Sequence, residues 1–130
     1  MDLYQASLGQ EDDEEPILLT IEEYEETRDA LRSIILRADA VKRLNENDDF
    51  QTMIVQGYLT DEPVRLANLM ASGKLPEKSM ENCLKELDAI GRFRNFLKLM
   101  VEQGSQAEGD LVNLEEAREE AIEAEAEAQS

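Results

Sequence analysis

Residues 20–45 read TIEEYEETRDALRSIILRADAVKRLN, and this stretch carries the strongest helix signal in the chain. Thr20 and Glu23 have the spacing of a capping box, in which the hydroxyl accepts from the Glu23 amide and the carboxylate accepts from the Thr20 amide. Leu19 and Tyr24 flank this start as a hydrophobic staple does. Apolar residues then recur every three or four positions, at Tyr24, Leu31, Ile34, Ile35, Ala38, Val41 and Leu44. That spacing predicts an amphipathic first helix over residues 20–45.

Two short helices are predicted next. Asp48 or Asp49 can cap a helix that ends at Gly57, because glycine supplies the left-handed residue that commonly closes a helix. A third helix begins near Pro63, which is tolerated in a first turn, and ends at Gly73.

A second long amphipathic helix is predicted over about residues 79–103, with its end at Gly104. Its apolar stripe consists of Met80, Cys83, Leu84, Leu87, Ile90, Phe93, Leu97, Met100 and Val101. Glycine inside a helix costs about 1 kcal/mol relative to alanine unless a close helix approach offsets it. We therefore expect Gly91 to mark the crossing point with the first helix.

The predicted fold class is all-α. No segment has the alternation or the hairpin dipeptides of strands, and the residues beyond Gly109 are Ala- and Glu-rich, as in a further helix. We expect a small domain in which two long antiparallel amphipathic helices are bridged by two short ones, with a loosely attached C-terminal helix. A core of this size is marginal, and assembly into a homo-oligomer is one way to stabilise it.

The negative charge lies at the two ends of the chain. The net charge is −18, of which residues 1–26 contribute −10 and residues 105–130 contribute −8, while residues 27–104 hold twelve acidic and twelve basic side chains. Densely packed like charges favour solvated, extended segments. We therefore predict a disordered acidic arm over residues 1–18, a helical core domain over 19–104 and an acidic helical tail over 105–130.

The composition argues against an enzyme. The chain has no histidine and one cysteine, so it cannot form a Ser/His/Asp triad, a Cys/His pair or a His-ligated zinc site. The acidic pairs Asp48/Asp49 and Asp61/Glu62 coincide with predicted helix starts, where capping explains them. We predict no catalytic residue, no cofactor and no metal site, and we interpret Cys83 as a small buried apolar residue.

Two groups of residues are candidates for binding a partner. One is the acidic run Glu11, Asp12, Asp13, Glu14 and Glu15, and the other is the cluster Arg92, Arg94 and Phe96. The acidic arms admit three interpretations: mimicry of a nucleic-acid backbone, steering toward a basic structural protein, or solvated ends with no partner. Direct nucleic-acid binding by the arginine cluster is disfavoured by the protein's own negative field.

The start of the chain has no basic region followed by a long apolar run, and no stretch approaches the length of a membrane span. We therefore expect a cytoplasmic protein that does not contact membranes. Met53, Met70, Met80 and Met100 are candidates for lining an adaptable binding groove, and the filling of gaps in a small core is the alternative.

Five segments carry a resemblance to small acidic helical proteins of tailed bacteriophages, over roughly residues 20–105. They are Val41-Lys42-Arg43-Leu44, Asn47-Asp48-Asp49-Phe50, Gly57-Tyr58-Leu59, Asp61-Glu62-Pro63-Val64-Arg65-Leu66 and Asp88-Ala89-Ile90-Gly91-Arg92-Phe93. The resemblance implies a non-enzymatic role in virion assembly, as a scaffold, chaperone or minor structural component, in the host cytoplasm or the virion. An acidic inhibitor that mimics nucleic acid and blocks a host DNA- or RNA-binding protein is the alternative.

Overall fold

The computed structural model describes residues 20–129, and every regular element in that range is helical. The elements are α1 (Ile21–Glu46), α2 (Asp48–Phe50), the π-helix π1 (Gln51–Asp61), α3 (Glu62–Ala71) and α4 (Glu77–Gln129). No strand occurs among these residues, which confirms the all-α prediction. The predicted arm over residues 1–18 and the staple residue Leu19 lie outside the described residues, as does Ser130.

The start of α1 confirms the capping box. The Glu23 amide donates to Thr20 Oγ1 at 3.1 Å, and the Thr20 amide donates to Glu23 Oε2 at 3.2 Å. Two of the amides that a helix start leaves without partners are satisfied in this way. The helix then runs to Glu46, one residue beyond the predicted end.

Asn47, rather than Asp48 or Asp49, caps the next element. Its backbone is extended (φ −79°, ψ 126°), which ends α1, and its side chain accepts from the Phe50 amide at 2.9 Å. The prediction that Asp48 or Asp49 caps this helix is therefore wrong, because the cap is the residue before Asp48. Asn, like Asp, presents a side-chain oxygen at the reach that a cap requires.

Residues 48–71 form an uninterrupted run of helical residues, so the predicted helix end at Gly57 is wrong. The residues that join α2, π1 and α3 all have right-handed helical dihedrals. Within π1, Thr60 Oγ1 donates to the Val55 carbonyl at 2.7 Å and Gln56 Nε2 donates to Asp61 Oδ1 at 2.9 Å. The Glu62 amide donates to the Gly57 carbonyl five residues earlier, which is the backbone hydrogen-bond spacing of a π-helix, and the two side-chain bonds also span five residues.

The run ends at Gly73, as predicted. Gly73 has φ +72°, a conformation that L residues adopt at a steric cost. The chain then reverses through residues 74–76 and enters α4.

Helix α4 is the longest element, and α1, π1 and α3 pack against it. Its 53 residues span about 80 Å at 1.5 Å per residue. The helix passes through Gly104 and Gly109 without a break, so the predicted end at Gly104 and the predicted separate C-terminal helix are wrong. The Ala- and Glu-rich residues that follow are strong helix formers, which favours continuation.

Gly104 is the crossing point with α1. A Cβ atom placed on Gly104 would lie 2.1 Å from the Cβ of Ala38, whereas one placed on Gly91 would meet no described atom within 4 Å. The prediction that Gly91 marks the crossing is therefore wrong. Ala38 and Ala107 are also almost fully buried, so small residues on both helices allow the close approach.

A second contact fixes the relative direction of α1 and α4. The Arg118 guanidinium lies 5.7 Å from the centre of the Tyr24 ring. Tyr24 precedes Ala38 by fourteen residues, and Arg118 follows Gly104 by fourteen residues. At these contacts the two helices therefore run in opposite chain directions, and α1 covers the C-terminal half of α4 as far as Arg118.

The N-terminal half of α4 packs against π1 and α3. The core there consists of Leu59, Leu66, Cys83 and Ile90, with Ile54, Met70, Leu75, Leu87 and Leu97 packed against it. Burial of Cys83 agrees with its interpretation as a small apolar residue. The apolar core thus has two parts along α4, one formed with π1 and α3 and the other formed with α1.

Candidate functional site

A groove lies between π1 and the N-terminal half of α4. It is an open groove with a volume of about 690 Å³, lined mainly by apolar side chains, with charged residues from α3 and α4: Met53, Ile54, Gly57, Tyr58, Glu62, Arg65, Glu86, Ala89 and Ile90. Gly57 from π1 and Ala89 from α4 are the smallest residues of this lining.

An exposed apolar surface extends from this groove along α4, and we call it the apolar ledge: Met53, Tyr58, Phe93, Phe96 and Leu99. The rings of Tyr58 and Phe93 meet edge to face, with centroids 6.0 Å apart and an interplanar angle of 75°. Phe96 and Leu99 follow Phe93 at successive steps of three residues, which places them on neighbouring turns. Met53 is 67% exposed and Phe96 54%.

Arg94, predicted to bind a partner, bonds within the fold. Its guanidinium donates to the backbone carbonyl of Leu59 in π1. Leu59 belongs to π1 and Arg94 to α4, so this bond ties the two elements together.

Replacement of Arg94 tests this role. We expect Arg94→Met to lower the free energy of unfolding by about 1–2 kcal/mol in urea titrations, because a part-buried carbonyl loses its donor. A cost no larger than that of the Arg92→Met control would contradict the assignment.

Arg92→Met is the matched control for that prediction. Arg92 is 81% exposed and bonds to Asp88 at 2.9 Å, one turn earlier in the same helix. Exposed pairs of this spacing contribute about 0.3–0.5 kcal/mol, so this variant should be nearly neutral. The predicted cluster is thus divided: Arg94 bonds inward, while Arg92 and Phe96 face solvent.

A charged pair borders the groove. Arg65 bonds to Glu62 through both carboxylate oxygens, with 3.0 Å between Arg65 Nε and Glu62 Oε2. The bonded guanidinium lowers the pKa of Glu62, and the carboxylate raises the pKa of Arg65. Because the folded-state pKa of Glu62 is depressed, the stabilisation from this pair is present above the ordinary glutamate pKa and is lost as the pH falls through the lowered value.

The other chemical candidates have structural roles. Asp61 accepts from Gln56 and Glu62 pairs with Arg65, so neither side chain caps α3 as predicted. Within residues 20–129 no three metal-ligating side chains come together. Among the four methionines, Met53 lines the groove, whereas Met100 is buried and Met70 packs against the core.

The acidic candidates Glu11, Asp12, Asp13, Glu14 and Glu15 lie outside the described residues. The structure therefore brings together only part of the predicted set. Tyr58 was absent from it, although it belongs to the ledge, and Met53 was predicted only as one of four candidate groove-lining methionines. Sequence spacing could not place either residue beside α4, because their neighbours there are more than thirty residues away in the chain.

Known proteins give no information on the function of this chain, so the proposed function is argued from the groove and the ledge. No protein-family model, no curated protein and no solved structure matches the chain. Among residues 20–129, no helix combines the length and apolarity required to cross a bilayer.

Proposed function

We propose that this protein is a non-enzymatic phage protein that acts through protein–protein contact in virion assembly, as a scaffold, chaperone or minor structural component. The apolar ledge is the observation that carries the proposal. Its five side chains, of roughly 200 Å² each and about half exposed, present on the order of 500 Å² of apolar surface. Patches of this size on soluble chains commonly mark interaction sites.

The chemistry of the ledge favours a protein partner. Interface cores are enriched in aromatic residues and methionine and depleted of charge, and the ledge consists of three aromatic rings, one methionine and one leucine. The nearby charged side chains Asp88, Arg92, Glu62 and Arg65 already bond to one another in pairs. A partner can therefore cover the ledge without leaving these charges unpaired.

The packing of π1 and α3 against α4 supports the ledge in this proposal. The phage context rests on the five sequence segments that resemble small acidic phage proteins. In this setting the acidic ends keep the protein soluble and steer it toward basic surfaces, and the protein binds neither membranes nor nucleic acid directly. It would occupy the host cytoplasm or the virion and use no cofactor.

Capture of partners during infection tests the proposal. The tagged full chain is expressed in infected cells, and co-purified proteins are quantified by mass spectrometry. We expect capture of virion proteins, reduced at least ~10-fold by Phe96→Glu and unchanged by Val112→Glu, an equally exposed position away from the ledge. Capture of no virion protein would contradict the assembly role, and equal capture by Phe96→Glu would contradict the role of the ledge.

A second candidate function is supported by the end of α4. Beyond Arg118 its only charged residues are acidic, at Glu119, Glu120, Glu123, Glu125 and Glu127, and they form a helical array of carboxylates. Such an array can imitate a phosphate backbone and block a host DNA- or RNA-binding protein. Competition with DNA for that partner should weaken steeply with salt. Binding that persists in high salt would contradict mimicry.

A further inference from the structure

We propose that two copies of this chain dimerise through the apolar ledge, with Phe96 of each copy entering the groove at Ala89 of the other. This inference rests on the proposed function, since it names the partner of the same surface. The observation that supports it is that the exposed ring of Phe96 and the groove at Ala89 lie on the same face of α4.

Phe96 and Ala89 are seven residues apart on α4, which is two helical turns, so both lie on the same side of the helix. Phe96 is 54% exposed, and Ala89 lines the groove. A twofold axis midway between them would pass near Arg92 and Phe93 and cross the two α4 helices in opposite directions. Each Phe96 would then meet the groove of the other copy in a single symmetric contact, as isologous interfaces require.

The size of the ledge agrees with a dimer. A stable interface buries about 800 Å² on each partner, of which about 56–65% is apolar, or roughly 450–520 Å². The apolar surface that the ledge presents, on the order of 500 Å², lies within that range. A second copy presents the same apolar area, so in a symmetric dimer both ledges are covered.

The charge distribution also favours a second copy. Residues 27–104, which contain the ledge, carry no net charge, so two ledges can approach without repulsion. The Tyr24–Arg118 contact at the acidic end lies about 25 residues along α4 from Phe93, or roughly 38 Å. This distance is several times the Debye length of about 8 Å at physiological salt. Oppositely directed α4 helices would also carry the two acidic C-terminal segments away from each other.

Sedimentation equilibrium of the full chain tests the dimer. The chain has a mass of 14.7 kDa, and we expect the wild type to sediment at twice that mass. Phe96→Glu and Ala89→Glu should each raise the dissociation constant at least ~100-fold, because each buries a charge at the centre of the contact. Val112→Glu is the matched control and should remain dimeric, with circular dichroism establishing that all four proteins are equally helical.

Disulfide trapping tests the register. In a Cys83→Ala background, a mixture of Ala89→Cys and Phe96→Cys chains should form a disulfide-linked heterodimer, while Val112→Cys with Phe96→Cys should not, since the Cα atoms must approach within about 7 Å. A wild type that sediments at the monomer mass, or dimers that persist in Phe96→Glu, would overturn the inference. If the wild type is monomeric and Phe96→Glu still loses virion-protein capture, the dimer is overturned and the proposed function stands.

Discussion

Gly104→Ala should lower the free energy of unfolding by about 2 kcal/mol, a large effect for the addition of one methyl group. The new Cβ would lie 2.1 Å from the Cβ of Ala38, whereas carbon atoms pack at about 3.5–4.0 Å. Helices α1 and α4 would have to separate by about 1.5 Å along their contact. The strain exceeds the gain of about 1 kcal/mol in helix propensity that alanine brings.

An exchange of the two residues identifies the cause. Ala38→Gly removes the methyl group that the new side chain would meet, so the double variant Gly104→Ala with Ala38→Gly should recover most of the lost stability. Gly109→Ala is the matched control in the same helix, and a Cβ there meets no described atom within 4 Å. It should stabilise the protein by up to about 1 kcal/mol. Urea denaturation of the wild type and the four variants measures these effects, and additive costs in the double variant would contradict the proposed crossing.

Leu66→Ala should cost about 3 kcal/mol. Leu66 is 1% exposed and packs in the small core of Leu59, Cys83 and Ile90. Truncation of a buried leucine loses its transfer free energy and leaves a cavity, which together cost 2–5 kcal/mol. No second core on π1 or α3 replaces this cluster, so the whole segment depends on it.

Native-state hydrogen exchange distinguishes where Leu66→Ala acts. Amides of π1 and α3 should lose protection first, while the α1 contact with α4 around Gly104 retains it, because the two halves of α4 pack against different partners. Leu69→Ala, in the same helix but 37% exposed, is the matched control and should cost about 1 kcal/mol or less. Similar losses for the two variants would contradict the assignment of Leu66 to the core.

Local signals predicted the parts of the fold that depend on neighbouring residues. The Thr20–Glu23 capping box and the apolar period of α1 involve positions three or four apart, so the sequence displays them directly. Gly73 ends its helix with a positive φ, as glycine after an amphipathic run predicts. These features needed no knowledge of what packs against the helix.

The errors concern glycines whose roles depend on distant residues. Gly57 and Gly104 resemble helix ends in the sequence. In the structure Gly57 lies inside π1, and Gly104 allows Ala38 of α1 to pack closely against α4. Gly91 was predicted to be the crossing because it interrupts an apolar stripe, yet the contact occurs thirteen residues later. A glycine that ends a helix and one that allows a close approach cannot be distinguished without the facing element.

The candidate site was predictable only in part. Phe96 and Arg92 were identified because charged and aromatic residues alternate there, and both are exposed. Arg94 shares that pattern but bonds to the Leu59 carbonyl of π1, a partner thirty-five residues away in the chain. The groove itself is lined by residues that are far apart in the chain, such as Tyr58 and Ala89.

Photo-crosslinking from the ledge is the most direct test that this surface binds protein. A benzophenone side chain is introduced at position 96 or, as the control, at position 112, and the full chain is irradiated in infected cells. We expect covalent adducts to a protein, either a virion component or a second copy of the chain, at position 96 and at least ~10-fold fewer at position 112. Equal yields at the two positions, or none at position 96, would contradict a protein-binding role for the ledge.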